Sequence, residues 1–292
     1  MAIFLRYPEG KAKAATFSYD DGCQADKRLV EIFTKYGVKA TFNLNSLRAR
    51  EVNLTDEELF KYILDKGHEI AVHGEYHKAN GNATILEGIR DVLNCRLELE
   101  ERCGRIIRGM AYPDTGITVM GSLNTYENIK SYLKDLGIAY ARTLGGDNKS
   151  FTLPSDFHAW MPTAHHSNPE IMDFVNEFLE LDLSTSTYHA ARYPRLLYIW
   201  GHAYEFDTDN NWELIEEICE KLTAAKNDIW FATNIEIYDY VTAYKRLIYS
   251  ADGSLVYNPT LITLWLDNGG KLYTVKPGET VEINGVNKYP PS

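Results

Sequence analysis

The sequence has no run of apolar residues that approaches the roughly 18 needed for a membrane-spanning helix. Its first residues lack a basic segment followed by a long apolar one, which predicts no signal peptide and a cytoplasmic location. Only four cysteines occur in 292 residues, and none lies in a Cys-x-x-Cys pair. We therefore expect free thiols rather than disulfides or a thiolate metal site.

Positive charge is also scarce, because 30 Lys and Arg residues face 41 Asp and Glu residues, for a formal net charge of -11. Phosphate binding requires a basic face, so nucleic acid is not an expected partner. The composition that is present, 45% hydrophobic and 24% charged, is typical of a folded protein with a large core. The sequence gives no prediction of the oligomeric state.

Short apolar runs alternate with longer amphipathic stretches up to about residue 245. This alternation of about seven strands with helices predicts an α/β fold whose parallel sheet can close into a barrel. After residue 246 the chain contains only short strand-like runs, separated by turn signals at 252–253 and 268–269. We therefore predict a barrel domain at 1–245 and a small β-rich appendage at 246–292.

Four short motifs begin at or just beyond the ends of predicted strands. They are Thr-Phe-Ser-Tyr-Asp-Asp-Gly at 16–22, His-Gly-Glu-Tyr-His at 73–77, Arg-Gly-Met-Ala-Tyr-Pro at 108–113 and Trp-Gly-His at 200–202. Chemistry in barrels of parallel strands is located at the carboxyl ends of the strands. The shared position of the four motifs therefore predicts one functional site.

The residue types in these motifs are typical of a hydrolytic metal site, which needs three protein ligands and an open position. His73 and His77 are four residues apart and could bind one ion from the same side of a helical turn. Either Asp20 or Asp21 would complete the set. The other aspartate would then be free to accept a proton from water.

Together, the motifs resemble those of the polysaccharide deacetylase family with the NodB homology domain, also called carbohydrate esterase family 4. The similarity covers about residues 14–233. It implies a distorted (β/α) barrel and one divalent metal, most often Zn²⁺, with Co²⁺, Ni²⁺ or Mn²⁺ as alternatives. It also implies an enzyme that hydrolyses carbon–nitrogen or ester bonds, removing an acetyl group from an acetylated sugar by attack of metal-bound water.

The resemblance assigns roles to individual residues. Asp21, His73 and His77 become the metal ligands, and Asp20 becomes the general base. His202 becomes the general acid that protonates the leaving group. The backbone N–H of Tyr112 is implied to help hold the oxyanion, and Arg108 is implied to orient the base.

A looser match concerns the segment at 156–167, which includes a tryptophan-bearing motif. Here Trp160 is expected to line the acyl or sugar pocket, and Asp156 is expected to partner His202. His165 or His166 is expected to point into the site and narrow it.

Three alternatives stay open at the level of sequence. A hydrolase of the same fold could act on a small non-carbohydrate amide or on a nucleotide- or lipid-linked sugar, which suits a cytoplasmic protein. A non-catalytic carbohydrate-binding protein could retain the barrel, although it would not need an uncoordinated aspartate. A non-heme Fe(II) oxygenase also uses two histidines and one carboxylate, but the α/β alternation argues against it.

Overall fold

The computed structural model describes residues 3–46, 54–145, 148–183 and 192–283. The described strands are β1 Ile3–Arg6, β2 Lys13–Asp21, β3 Ala40–Leu44, β4 Glu69–Val72, β5 Gly109–Ala111, β6 Tyr140–Arg142, β7 Ala164–His165, β8 Arg195–Gly201, β9 Ile229–Phe231, β10 Ile248–Tyr249, β11 Leu255–Tyr257, β12 Leu264–Asn268, β13 Lys271–Val275 and β14 Thr280–Glu282. The described α-helices are α1 Asp26–Tyr36, α2 Asp56–Glu58, α3 Ile85–Cys103, α4 Tyr126–Asp135, α5 Ile171–Glu180, α6 Ala203–Thr208, α7 Trp212–Ala224 and α8 Asn234–Lys245.

Several helix ends follow from their capping residues. Helix α1 ends at Gly37, which has a φ of 69° that glycine adopts without steric cost. The predicted capping box between Thr55 and Glu58 is present at the start of α2. Thr84 caps α3 in the same way, with Glu87 as its partner. These caps satisfy backbone N–H groups that the first helical turn leaves without a partner.

The central sheet is parallel and has the strand order β6-β5-β4-β3-β2-β8-β7, with β9 paired to the first part of β2. Residues 160–165, which include β7, link β6 to β8, because Trp160 N donates to Ala141 O (3.0 Å) and Thr163 N donates to Tyr198 O (2.7 Å). The sheet therefore curls into an irregular barrel of the predicted class.

The register of the sheet places the motif residues along one edge. Leu44 pairs with Asp21 on one side and with Val72 on the other, and Val72 pairs with Met110. His73 therefore lies one residue beyond this row, directly next to the two aspartates that end β2. The carboxyl ends of β2 to β6 and of β8 meet at this edge, which positions the candidate site.

The C-terminal region forms two small antiparallel sheets, β10-β11-β14 and β1-β12-β13. Strand β1 comes from the amino end of the chain, so Ile3 pairs with Asn268 across the predicted boundary at residue 245. A second hydrophobic cluster also spans that boundary and includes Tyr198, Tyr240 and Leu264. The division at 245 stays a prediction, and residues 284–292 of the predicted appendage lie outside the described residues.

Two further expectations concern cysteine chemistry and membranes. All four cysteines are free, as expected, and three of them are buried. Within the described ranges, no helix combines the length and the apolar character that crossing a membrane would require.

Candidate active site

The three predicted metal ligands, Asp21, His73 and His77, converge at the carboxyl edge of the sheet. The Nε2 atom of His77 lies 3.5 Å from Oδ1 of Asp21, and Nε2 of His73 lies 3.8 Å from the same oxygen. The three donor atoms all lie within 4.8 Å of one another. We call these three residues the Asp21 cluster.

The His73 ring is held by backbone contacts that leave one nitrogen for an ion. Its backbone N donates to Leu44 O (2.9 Å), and its Nδ1 lies 2.9 Å from Ala111 O. Because a carbonyl only accepts, Nδ1 carries the proton and Nε2 presents a lone pair towards Asp21. Burial lowers the pKa of His73, which favours the neutral imidazole that binds metals.

The segment that joins the two histidines is a loop and not the helical turn that the sequence predicted. Asp91 on α3 holds this loop, accepting from Tyr76 N through Oδ1 (2.8 Å) and from Glu75 N through its backbone oxygen (3.2 Å). Gly74 has a φ of 80°, and a Cβ there would lie 2.5 Å from Oδ2 of Asp91. His77 itself has a φ of 53°, so the four-residue spacing brings the histidines together through a bent loop.

Asp20 lies beside the Asp21 cluster and has its own set of partners. It is 2% exposed, and its Oδ1 accepts from Asn43 Nδ2 (2.8 Å) while its Oδ2 pairs with the guanidinium of Arg142. Burial acts to raise the pKa of Asp20, but the charges of Arg142, His73 and His202 and the Asn43 hydrogen bond together outweigh it, so this pKa lies below its usual value. The carboxylate is therefore ionised at neutral pH.

The arginine that contacts Asp20 is Arg142, not Arg108. The two terminal guanidinium nitrogens of Arg108 each lie 2.9 Å from a carboxylate oxygen of Asp239, and both side chains are partly exposed. Arg142 is fully buried at the end of β6, and its guanidinium lies 4.3 Å from the ring centroid of Trp200. The sequence analysis missed Arg142 because it belongs to none of the four motifs.

Tyr112 does not present the free N–H that the resemblance implied. Its backbone N donates to Arg142 O (2.9 Å), which continues the hydrogen-bonded pairing of β5 with β6 by one residue. Its phenol is buried and donates to His158 O (2.8 Å). The predicted oxyanion role for this N–H is therefore corrected, because the sheet already uses it.

His202 follows β8 and contacts Glu205 at the start of α6. Its Nδ1 lies 3.3 Å from Oε2 of Glu205, and its backbone N donates to the same oxygen (3.0 Å). Burial acts to lower the pKa of His202, but Glu205 and the charge of Asp20 outweigh it and raise this pKa. The predicted partner Asp156 lies elsewhere, accepting from Tyr126 Oη (2.7 Å) and His158 N (3.0 Å).

The other predicted pocket residues divide into two groups. Trp160 is 1% exposed and packs against Tyr140 and Tyr198, so it belongs to the core and does not line the pocket. His165 is partly exposed, with its ring centroid 6.0 Å from that of His202, whereas His166 is buried. Of the segment at 156–167, only the two histidines reach the candidate site.

Comparison with known proteins identifies a matching family model and a shared fold. Residues 7–141 match the sequence model of the polysaccharide deacetylase family. No curated protein sequence matches the chain.

Solved structures share the fold. A proposed polysaccharide deacetylase from Mycobacterium smegmatis matches with 17% identity and a TM-score of 0.58, over 84% of this chain and 95% of that chain. A family 4 acetyl xylan esterase from Clostridium thermocellum in complex with cobalt matches with 16% identity and a TM-score of 0.50, over 77% and 90%. A carbohydrate esterase family 4 pseudoenzyme from Bacillus anthracis matches with 17% identity and a TM-score of 0.51, over 81% and 68%. The predicted distorted (β/α) barrel is thereby confirmed.

Proposed function

We propose that this chain is a metal-dependent hydrolase that removes an acetyl or similar acyl group from an acetylated sugar, because residues 7–141 match the sequence model of the polysaccharide deacetylase family. The observation that carries this proposal is the placement of a second, separately held carboxylate, Asp20, beside the Asp21 cluster. A binding site for a metal or a sugar alone has no use for that carboxylate, whereas hydrolysis requires a base.

The Asp21 cluster fits a divalent ion in its donor set and in its supports. Two imidazole nitrogens and one carboxylate oxygen are the ligands typical of catalytic zinc, and Co²⁺, Ni²⁺ or Mn²⁺ can occupy such a set. Asp21 Oδ1 also accepts from Asn45 Nδ2 (2.8 Å), which fixes the carboxylate. A divalent ion bound there would polarise the acyl carbonyl and lower the pKa of a water molecule in the site.

Asp20 is proposed to accept the proton of the attacking water. Its two oxygens are held by Asn43 and Arg142, so its position does not depend on the metal. Arg142 and Asn43 are then positioning residues, because each acts through the carboxylate. The guanidinium of Arg142 also stacks on Trp200 of the fourth motif.

His202 is proposed to donate a proton to the leaving amine or alcohol. Its Nδ1 faces Glu205, so its Nε2 is the atom available to a substrate. Glu205 therefore takes the place that the sequence analysis gave to Asp156. Asp20 lies close enough for its charge to act on His202, which agrees with a base and an acid on two sides of one reacting group.

The fold by itself does not separate this proposal from a binding protein, since one structure with the same fold is a pseudoenzyme. Support for catalysis comes from the residues: the Asp21 cluster, Asp20, Arg142 and His202. A nucleotide- or lipid-linked sugar and a cell-wall polymer are both candidate substrates. Both substrate classes belong in the same assay.

The test measures acetate released by the zinc-loaded protein from N-acetylglucosamine oligomers, acetylated xylan oligomers and a nucleotide-linked N-acetylglucosamine. We expect release from at least one of them, and Asp20→Asn, which keeps the size of the side chain, should abolish most of it. Binding of these sugars with no acetate released, in both wild type and Asp20→Asn, would instead establish the binding-protein alternative.

A further inference from the structure

A second group of metal-binding side chains lies at the same edge of the sheet, at the ends of β7 and β8. Oε2 of Glu205 lies 3.3 Å from Nε2 of His165 and 3.3 Å from Nε2 of His166. The three donor atoms lie within 4.8 Å of one another, as those of the Asp21 cluster do. We call these residues the Glu205 cluster, and it shares no residue with the Asp21 cluster.

We propose that the Glu205 cluster is a second divalent-cation site, with a preference for Zn²⁺. The proposal rests on the distances between the donor atoms, on the way in which the rings are held and on the chemistry of the donor set. It does not depend on the proposed hydrolytic function.

The distances suit ligands of one ion better than hydrogen bonds. Tetrahedral zinc at 2.0–2.1 Å from its ligands keeps neighbouring donor atoms about 3.3 to 3.4 Å apart. Hydrogen bonds from nitrogen to oxygen cluster at about 2.9 to 3.0 Å. Oε2 of Glu205 lies 3.3 Å from Nε2 of His165 and of His166, and it also lies 3.3 Å from Nδ1 of His202.

The His166 ring is fixed with its Nε2 directed at Glu205. It is 1% exposed and stacks between Tyr19 and Phe206, with interplanar angles of 18° and 22°. Its Nδ1 faces Gly201, where a Cβ would lie 2.0 Å away, and this buried nitrogen has no hydrogen-bond partner among the residues that the structure describes. Packing therefore fixes the ring so that Nε2 is the nitrogen available to an ion.

The His165 ring has two possible proton arrangements, and they correspond to two states of the cluster. Nδ1 lies 2.6 Å from Ser167 Oγ and 3.1 Å from Ser167 N. When Nδ1 donates to the hydroxyl oxygen, Nε2 presents a lone pair to an ion. When Nδ1 accepts from Ser167 N, Nε2 carries the proton and the cluster is a hydrogen-bonded one without metal. Metal binding selects the first arrangement.

The donor set also selects the class of ion. Two imidazole nitrogens and one carboxylate oxygen suit Zn²⁺ and its neighbours in the first transition row, whereas Mg²⁺ and Ca²⁺ prefer oxygen ligands. Glu205 supplies the carboxylate oxygen of this set, and both histidine Nε2 atoms face that one oxygen.

The experiment is equilibrium dialysis of the full chain against Zn²⁺, followed by elemental analysis of zinc per chain. We expect about two ions in wild type, about one in either His77→Ala or His165→Ala, and none in the double variant. His165 is partly exposed, so its replacement spares the core, and the isosteric Glu205→Gln provides a second way to remove a ligand. His158→Gln, which changes a histidine outside both clusters, should keep two ions.

Cobalt gives an independent readout, because the visible absorption of bound Co²⁺ reports its coordination. The second equivalent of Co²⁺ should produce an absorption change that His165→Ala and Glu205→Gln both remove. A wild-type protein that binds only one ion, lost in His77→Ala and kept in His165→Ala, would establish the hydrogen-bonded arrangement and overturn the proposal. The same holds for a second ion that persists in both His165→Ala and Glu205→Gln.

Discussion

The two histidine clusters at the edge of the sheet contain similar donors but differ in what surrounds them. In the Asp21 cluster, Ala111 O contacts His73, the Asn45 amide contacts Asp21, and Oδ1 of Asp114 lies 3.4 Å from Nδ1 of His77. In the Glu205 cluster, the carboxylate oxygen faces His165 and His166 and also Nδ1 of His202. The Glu205 carboxylate is therefore shared with a residue of the proposed reaction, whereas the Asp21 carboxylate is held by an amide that has no role in that reaction.

The identity of the donor atoms therefore does not by itself determine whether an ion at a cluster supports or opposes the reaction. An ion at the Asp21 cluster gains ligands without taking a partner from another residue. An ion at the Glu205 cluster competes with His202 for the same oxygen. We therefore expect tight binding that supports turnover at the first cluster, and weaker binding that opposes turnover at the second.

The largest effect is expected from His77→Ala, which removes a ligand from the Asp21 cluster. Acetate release should fall by roughly a thousandfold or more, because the stabilisation supplied by a catalytic metal amounts to several kcal/mol. The measurement is initial rate and zinc content on the same preparation. The control His158→Gln should keep the wild-type rate and zinc content. Normal turnover in His77→Ala would show that the Asp21 cluster has no role in the reaction.

The Asp20→Asn variant distinguishes the role of general base from the role of metal ligand. Turnover should drop by roughly a hundredfold or more, as for loss of a general base, while the zinc at the Asp21 cluster is retained. The elemental analysis distinguishes the two roles, because loss of zinc in Asp20→Asn would make Asp20 a ligand and contradict the assignment.

A matched pair of arginine variants tests the positioning role of Arg142. Arg142→Lys keeps a positive charge but loses the planar guanidinium that contacts Asp20 and stacks on Trp200. We expect kcat to fall by about tenfold with KM little changed, as for a group that acts on the chemical step. Arg108→Lys, which affects a pair with Asp239 away from the base, should leave kcat within about twofold. Equal losses in the two variants would argue against this distinction.

The smallest effect is expected from excess zinc. This experiment compares the effect on acetate release of an ion at each of the two clusters. Since an ion at the Glu205 cluster draws the carboxylate away from His202, added Zn²⁺ beyond the first equivalent should slow acetate release by a few-fold. The rate of each protein is measured against its own rate at one equivalent. His165→Ala should not show the slowing, and equal inhibition of both proteins would place the inhibitory ion elsewhere.

The motif residues could be predicted because short-range patterns define them. Apolar runs specify the strands, and parallel strands bring their carboxyl ends to one edge, so the order of the four motifs was sufficient to bring Asp20, Asp21, His73 and His77 together. The hairpin turns after Ser250 and Asn268 followed from local turn chemistry in the same way. These features need no knowledge of long-range register.

The residues that the sequence analysis missed depend on that register. Arg142 reaches Asp20 across a separation of 122 residues, from a strand of three residues without a motif. The resemblance assigned the oxyanion to Tyr112 N. The pairing of β5 with β6, which uses this N–H, is not visible in the sequence. Glu205 becomes a partner of His165 only because β7 lies beside β8. In each case the contact is set by strand neighbours rather than by local pattern.

The most direct test of the central claim removes and restores the metal of the wild-type protein. Acetate release is measured after chelation and dialysis, and then during stepwise return of Zn²⁺. The Asp21 cluster predicts loss of activity on chelation and full recovery with the first equivalent, in wild type but not in His77→Ala. Full activity in a chelated protein shown by elemental analysis to contain no metal would contradict a metal-dependent hydrolase.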